Sequence, residues 1–237
     1  ADTDKAVRAI KAGATDFIPK PWEKEKLLAT LSSGMKLRRS RTEINLLKEQ
    51  VEVLSNATAG GSEEVIIGDS LVMQQVFSTV EKLRDTDANI LILGENGTGK
   101  DVIARLLYRN SPRYGKPFVT IDLGSIPEQL FESELFGYEK GAFTDARKAK
   151  AGRMEVATGG TLFLDEIGNL SLPMQAKLLT AIEKRCISRL GSTQATPIDV
   201  RLICATNADI RRLVDEGDFR QDLLYRINTI ELRIPPL

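Results

Sequence analysis

Gly94-Glu95-Asn96-Gly97-Thr98-Gly99-Lys100 is the stretch whose reading decides the fold. It follows the apolar run Asn89-Ile90-Leu91-Ile92-Leu93, which has the length and composition of a buried strand. It precedes Asp101-Val102-Ile103-Ala104-Arg105-Leu106-Leu107, whose apolar positions repeat with helical spacing. Strand, glycine-rich turn and helix together form the context of a phosphate-binding loop. The glycines let backbone N–H groups turn toward a polyphosphate. The helix N-terminus adds partial positive charge there, and Lys100 adds a full one. Asp101 stands where such loops usually carry a metal-ligating Ser or Thr. A magnesium ion is then expected to keep more water and to lean on a second carboxylate.

Further short apolar runs follow outward from the loop. Phe118-Val119-Thr120-Ile121, Thr161-Leu162-Phe163-Leu164 and Val200-Arg201-Leu202-Ile203-Cys204-Ala205 read as strands, with helical segments between them such as Met174 to Glu183 and Gln221 to Leu224. Ser70 is placed to cap a helix running to about Leu83. Strands alternating with helices predict an α/β fold with a mainly parallel sheet, and ligands bind at the carboxyl ends of such strands. Asp165-Glu166 follows the third run. Asp165 suits a magnesium ligand, and Glu166 suits the base that activates water. Asn207 ends the fourth run, where an amide can hold that water or sense a γ-phosphate. Arg220 and Arg226 are candidates for arginine fingers that reach a neighbouring subunit's nucleotide. The alternative is a pair of helix-surface arginines in ordinary salt bridges.

Bulk composition sets limits. The chain has 237 residues, 42% of them hydrophobic and 28% charged, with Lys+Arg and Asp+Glu equal at 33 each. These values fit a soluble globular protein, and no overall basic field argues for nucleic-acid binding. The two cysteines, Cys186 and Cys204, lie in apolar surroundings, which suits buried thiols in a reducing cytoplasm rather than a disulfide framework. Histidine is absent, which excludes histidine-based catalysis and histidine metal sites. No apolar run reaches the length of a membrane span.

Residues 1–33 read as helix, strand and helix: Ala6, Val7, Ile10 and Ala14 with Gly13 as a stop, then Thr15 to Ile18, then Trp22 to Leu31. Gly13-Ala14-x-Asp16-Phe17 followed by Lys20-Pro21 and an aromatic resembles the C-terminal third of a bacterial response-regulator receiver, a flavodoxin-like domain. That resemblance implies a lysine that contacts a phosphorylated aspartate, a cis Lys-Pro bond and a sensor histidine kinase as partner. Residues 34–54 place Leu37, Ile44, Leu47, Val51 and Leu54 on one seam among charged residues. This predicts either a short coiled coil able to dimerise or an amphipathic helix packed on its own domain. Residues 55–64 are small and polar, and complete a linker spanning 34–64. Residues 65–237 are then the second domain.

The segment Glu132 to Ala146 reads as a loop inserted in a helix, because Gly137 and Gly141 flank an aromatic. Phe143 is expected either on its surface, facing a partner, or buried beneath it. With this segment the chain resembles the AAA+ P-loop ATPase domain of sigma-54-dependent transcriptional activators, the bacterial enhancer-binding proteins. The matching stretches are Gly94 to Lys100, Glu132 to Ala146, Gly159 to Glu166, Val200 to Asn207 and Phe219 to Asn228. The resemblance implies a homo-oligomeric ring of six or seven subunits that hydrolyses ATP with Mg2+ and remodels sigma-54 RNA polymerase. It implies that Gly94, Glu95, Asn96, Gly97, Thr98, Gly99, Lys100 and Asp101 hold the nucleotide, and that Ile67 and Gly68 line the adenine. It places Gly141, Ala142, Phe143, Thr144, Asp145 and Ala146 in the loop that contacts sigma-54, with Asp145 where the family has glycine. It aligns Asp122 with an asparagine that restrains the catalytic glutamate. An aspartate there repels Glu166 unless a proton or cation intervenes. A helical lid and a DNA-binding domain are expected beyond Leu237. Two alternatives remain: a remodelling ATPase of another class, and a nucleotide-binding regulatory module that does not hydrolyse.

Overall fold

The structure is a computed structural model. It describes residues 8, 14, 16, 18, 20–21, 23–36 and 70–236. The chain divides into two compact units, Ala1–Val53 and Leu54–Leu237.

In the first unit the Lys20–Pro21 peptide bond is cis. A helix, α1, covers 24–36, starting later and running further than the expected Trp22 to Leu31. Ser32, Ser33 and Gly34 do not stop it; one interior glycine costs only about 1 kcal/mol. Asp16 and Ile18, from the segment expected as a strand, lie outside any strand. Most of the 34–54 seam and the 55–64 linker fall outside the described residues.

The first described element of the second unit is α2 (Leu71–Lys82), where the Ser70 hydroxyl accepts a hydrogen bond from Met73 N at 3.2 Å as an N-cap. Five parallel strands form the main sheet: β1 (Ile90–Leu93), β2 (Phe118–Asp122), β5 (Thr161–Asp165), β8 (Arg201–Thr206) and β9 (Ile230–Arg233). Their order is β2-β5-β8-β1-β9. Alternate side chains supply two cores. Leu91, Val119, Ile121, Leu162, Leu164, Leu202 and Cys204 enter one, against Phe131 and Leu135 of α4 (Glu128–Phe136) and Leu178 of α6 (Leu172–Lys184). Ile90, Ile92, Phe118, Phe163, Ile203 and Ala205 enter the other, against Val76 and Val80 of α2 and Ile103 and Leu107 of α3 (Lys100–Arg109). A sheet covered by helices on both faces explains why its strands read as continuous apolar runs. β9 escaped the sequence reading because Ile-Glu-Leu-Arg carries charges that an edge strand tolerates.

The expected insertion is a hairpin. β3 (Gly137–Tyr138) pairs antiparallel with β4 (Lys150–Ala151) between α4 and the short α5 (Arg153–Val156). A second hairpin, β6 (Cys186–Ser188) with β7 (Ala195–Pro197), follows α6 and joins the first through a Tyr138–Leu190 bridge. Among the described residues, no helix is long and apolar enough to cross a membrane.

The base of the first hairpin is closed tightly enough to demand glycine. A Cβ at Gly152 would lie 2.3 Å from the carbonyl carbon of Phe136. Gly152→Ala is therefore expected to destabilise the protein by about 1–3 kcal/mol, read as a lowered midpoint in urea.

Candidate functional site

The phosphate-binding loop joins the carboxyl end of β1 to the amino end of α3. Gly99 caps α3 at φ 81° with no side-chain capping bond, so the first N–H groups of the helix are left for a ligand. Lys100 is buried, with 6% exposure. Its Nζ donates to Gly94 O at 3.1 Å and Glu95 O at 3.0 Å, and lies 3.7 Å from Glu166 Oε1. One ammonium thus joins the loop to the end of β5. Asp101 is exposed in the first turn of α3, where the helix dipole favours an acid.

Asp165 and Glu166 end β5 as expected. Glu166 adopts a left-handed backbone conformation at φ 53°, which costs a non-glycine residue on the order of 1 kcal/mol. Its own N–H donates to Asp165 Oδ1 at 3.0 Å. This bend directs Glu166 across to the neighbouring strand, where Asn207 N donates to Glu166 Oε2 at 3.3 Å. Asn207 Nδ2 in turn donates to Asn96 Oδ1 in the loop at 2.8 Å. The ring of contacts runs from Lys100 to Glu166, Asn207 and Asn96. The Asn96–Asn207 bond was not legible in the sequence, because the two residues meet only when β1 and β8 pair.

Asp122 ends β2 directly beside Asp165 in the strand register. Its Oδ1 accepts from Gly124 N at 2.8 Å. A Cβ at Gly124 would lie 3.2 Å from that oxygen and 3.6 Å from Glu166 Cγ, so the two acids flank one glycine. Burial above all pushes the Asp165 carboxyl above its ordinary value of 3.8, with the charges of Glu166 and Asp122 adding; the Glu166 N–H and Lys100 oppose the shift. Among the described residues, no group of three or more His, Cys, Asp or Glu forms a ready-made metal cage. The donor set suits magnesium held by one or two carboxylates together with substrate phosphates. A cavity of about 570 Å³ opens beside the loop, lined by Gly94, Glu95, Asn207, Arg211 and Arg233 among others. The two arginines were not singled out in the sequence, where nothing distinguishes them from surface charges. Ile67 and Gly68 fall outside the described residues.

The expected fingers differ from one another. Arg220 forms a two-pronged ion pair with Asp222, Nε to Oδ1 at 3.0 Å and Nη2 to Oδ2 at 2.6 Å. The Arg226 guanidinium makes no ion pair among the described residues. Arg226 sits in α8 (Gln221–Ile227), and its carbonyl accepts from Asn89 Nδ2 at 3.0 Å, at the amino end of β1. Its own phosphate loop lies at the other end of that strand, about 13 Å away along the backbone at ~3.3 Å per residue.

In the first hairpin Phe143 is 44% exposed and meets Tyr138 edge-on, with ring centroids 4.8 Å apart. Gly141 N donates to Ala146 O at 2.9 Å, which closes the tip and leaves Thr144 and Asp145 exposed. Arg189 of the second hairpin contacts Glu139 at 2.9 Å and Glu155 at 2.6 Å, on both sides of the first.

The profile of the sigma-54 interaction domain matches residues 66–233, which contain all these features. The chain belongs to the sigma-54 interaction domain family. It is 44% identical over 236 residues to the C4-dicarboxylate transport transcriptional regulatory protein DctD of Pseudomonas aeruginosa, covering 100% of this chain and 50% of that one. It is 41% identical over 236 residues to the DNA-binding transcriptional regulator NtrC of Escherichia coli, covering 100% of this chain and 48% of that one. The crystal structure of NtrX from Brucella abortus in complex with ATP superposes with a TM-score of 0.68 at 31% identity, covering 100% of this chain and 48% of that one. The chain spans about half the length of the curated relatives it matches. The sigma-54 interaction domain fold here is the expected α/β P-loop NTPase with a mainly parallel sheet.

The raised Asp165 pKa has a definite sign. The native carboxyl holds its proton more tightly than the unfolded one, so stability falls as pH rises through the interval from 3.8 upward. Asp165→Asn is expected to raise the urea midpoint of the metal-free protein at pH 7, and the gain is expected to vanish below the ordinary aspartate range.

Proposed function

We propose that this chain is the ATP-hydrolysing core of a sigma-54-dependent transcriptional activator controlled by an N-terminal receiver. The contact ring Lys100–Glu166–Asn207–Asn96 carries the reading, because it gathers a phosphate cradle, a base and a polar sensor at adjacent strand ends. In this reading Gly97, Gly99 and the first turn of α3 cradle the β- and γ-phosphates, and Lys100 leaves its loop carbonyls to meet them. Asp165 holds the magnesium ion, with Asp122 beside it. The ion, when bound, neutralises charge on the phosphate oxygens. Glu166 accepts a proton from water as the water oxygen bonds to the γ-phosphorus. The bond from that phosphorus to the β–γ bridging oxygen breaks, leaving ADP and inorganic phosphate. Asn207 orients the water or reports the γ-phosphate to β8.

A ring completes the site. Arg226 sits beside Asn89 at the amino end of β1, opposite its own phosphate loop, which supports delivery to the next subunit as a finger. Phe143, exposed on a hairpin that Arg189 ties to its neighbour, is suited to press on sigma-54. Asp145 gives that tip a negative charge. The domain reading follows: 1–33 as receiver end, 34–64 as linker, 65–237 as ATPase core in a cytoplasmic regulator, with DNA contact made by another part of the full protein.

Glu166→Gln is expected to lower ATP turnover by about 10²–10⁴-fold while ATP still binds, measured by phosphate release and equilibrium binding. Arg226→Ala is expected to lower turnover on the order of a thousandfold with ATP binding retained. Phe143→Ala is expected to keep turnover and lose nucleotide-dependent capture of sigma-54; capture at the unsubstituted level would remove Phe143 from the contact.

A further inference from the structure

We infer that Asn89 is the positioning residue for Arg226, and that it ties the finger to the strand that reads the same subunit's own nucleotide. The inference rests on the proposed finger role of Arg226. The last carbonyls of a helix lack intrahelical partners, and α8 is only 7 residues long, so its C-terminal turn needs an outside donor. Asn89 supplies it through Nδ2, at 3.0 Å from Arg226 O. The other end of the same amide is also used: Asn89 Oδ1 accepts from Leu202 N at 3.0 Å. Its backbone carbonyl accepts from Ile230 N at 3.2 Å. The amide orientation is fixed by these partners, since a carbonyl needs the NH2 end and an N–H needs the oxygen end.

Asn89 therefore joins β1, β8, β9 and the end of α8 at one point. Its bond to Leu202 is the important one for function. Leu202 lies near the amino end of β8, and Asn207, just past the carboxyl end, bonds both Glu166 and Asn96. β8 is buried along its whole length and pairs with β1 on one side and β5 on the other. A shift of Asn207 on loss of the γ-phosphate would travel along β8 to Asn89 and on to the Arg226 carbonyl. Asn89 and Arg226 also line one cavity of about 310 Å³, which leaves the finger room to move when the amide bond is absent.

Asn89→Asp tests this selectively. It keeps an oxygen for Leu202 N but sets an acceptor, instead of a donor, against the Arg226 carbonyl. In the full chain the expected result is a kcat about 10- to 100-fold lower, with the Kd for ATP changed by less than about twofold. The decisive arm mixes Asn89→Asp subunits with Glu166→Gln subunits. The latter hydrolyse far more slowly but present an intact Arg226, so activity per Asn89→Asp subunit, after subtracting that background, is expected to rise on mixing. A purely structural defect would stay within its own subunit and show no rise. Unchanged kcat in Asn89→Asp, or a loss that mixing does not restore, overturns the inference. Asn89→Ala removes both amide bonds without adding charge, and carries the same expectations if the aspartate prevents folding. Arg226→Ala run alongside separates the two claims: unchanged turnover there removes the finger reading itself, whatever Asn89→Asp does.

Discussion

One buried ammonium organises this molecule. Lys100 is withdrawn from solvent, and its charge is answered by two loop carbonyls and the Glu166 carboxylate. A buried cation without such partners would be prohibitively costly. The loop must therefore wrap it, and the end of β5 must lie alongside. A phosphate chain can supply stronger partners to the same ammonium. The left-handed turn at Glu166 belongs to this arrangement, because it aims the carboxylate between Lys100 and Asn207.

The parallel sheet gives the molecule two poles. Strand ends carrying Lys100, Asp122, Asp165, Glu166 and Asn207 form one; the opposite ends carry Asn89, Arg226 and the Arg113 cluster with Asp87 and Asp199. All five strands run the same way, so every loop that leaves a carboxyl end arrives at one surface. β1, only four residues long, joins Asn89 at one pole directly to the phosphate loop at the other.

The hairpins are a separate solution to a separate problem. The first hairpin carries an exposed aromatic at its tip. Here antiparallel pairing closes the base, and Arg189 bridges Glu139 and Glu155 from the second hairpin. Single exposed ion pairs contribute little, but an arginine shared by two acids from different segments fixes their relative position.

The sequence by itself determined the phosphate loop, the four apolar strands and the acids and amide at their ends. Those features are local: glycine spacing, apolar runs and the polar residue that follows each run are visible without knowing what pairs with what. It also located the insertion but left open whether Phe143 is exposed or buried, which the structure decides in favour of exposure. Other features were decided by tertiary structure. The edge strand β9 takes its identity from pairing with β1 rather than from its mixed composition. The Asn96–Asn207 bond and the separation of Arg226 from its own loop depend on strand order. Arg220 and Arg226 look alike in the sequence, and only the neighbouring Asp222 and the position of α8 distinguish them. Arg220 pairs with an acid two residues away, whereas Arg226 takes its place from Asn89, far off along the chain and brought near only by the packing of its helix on the sheet.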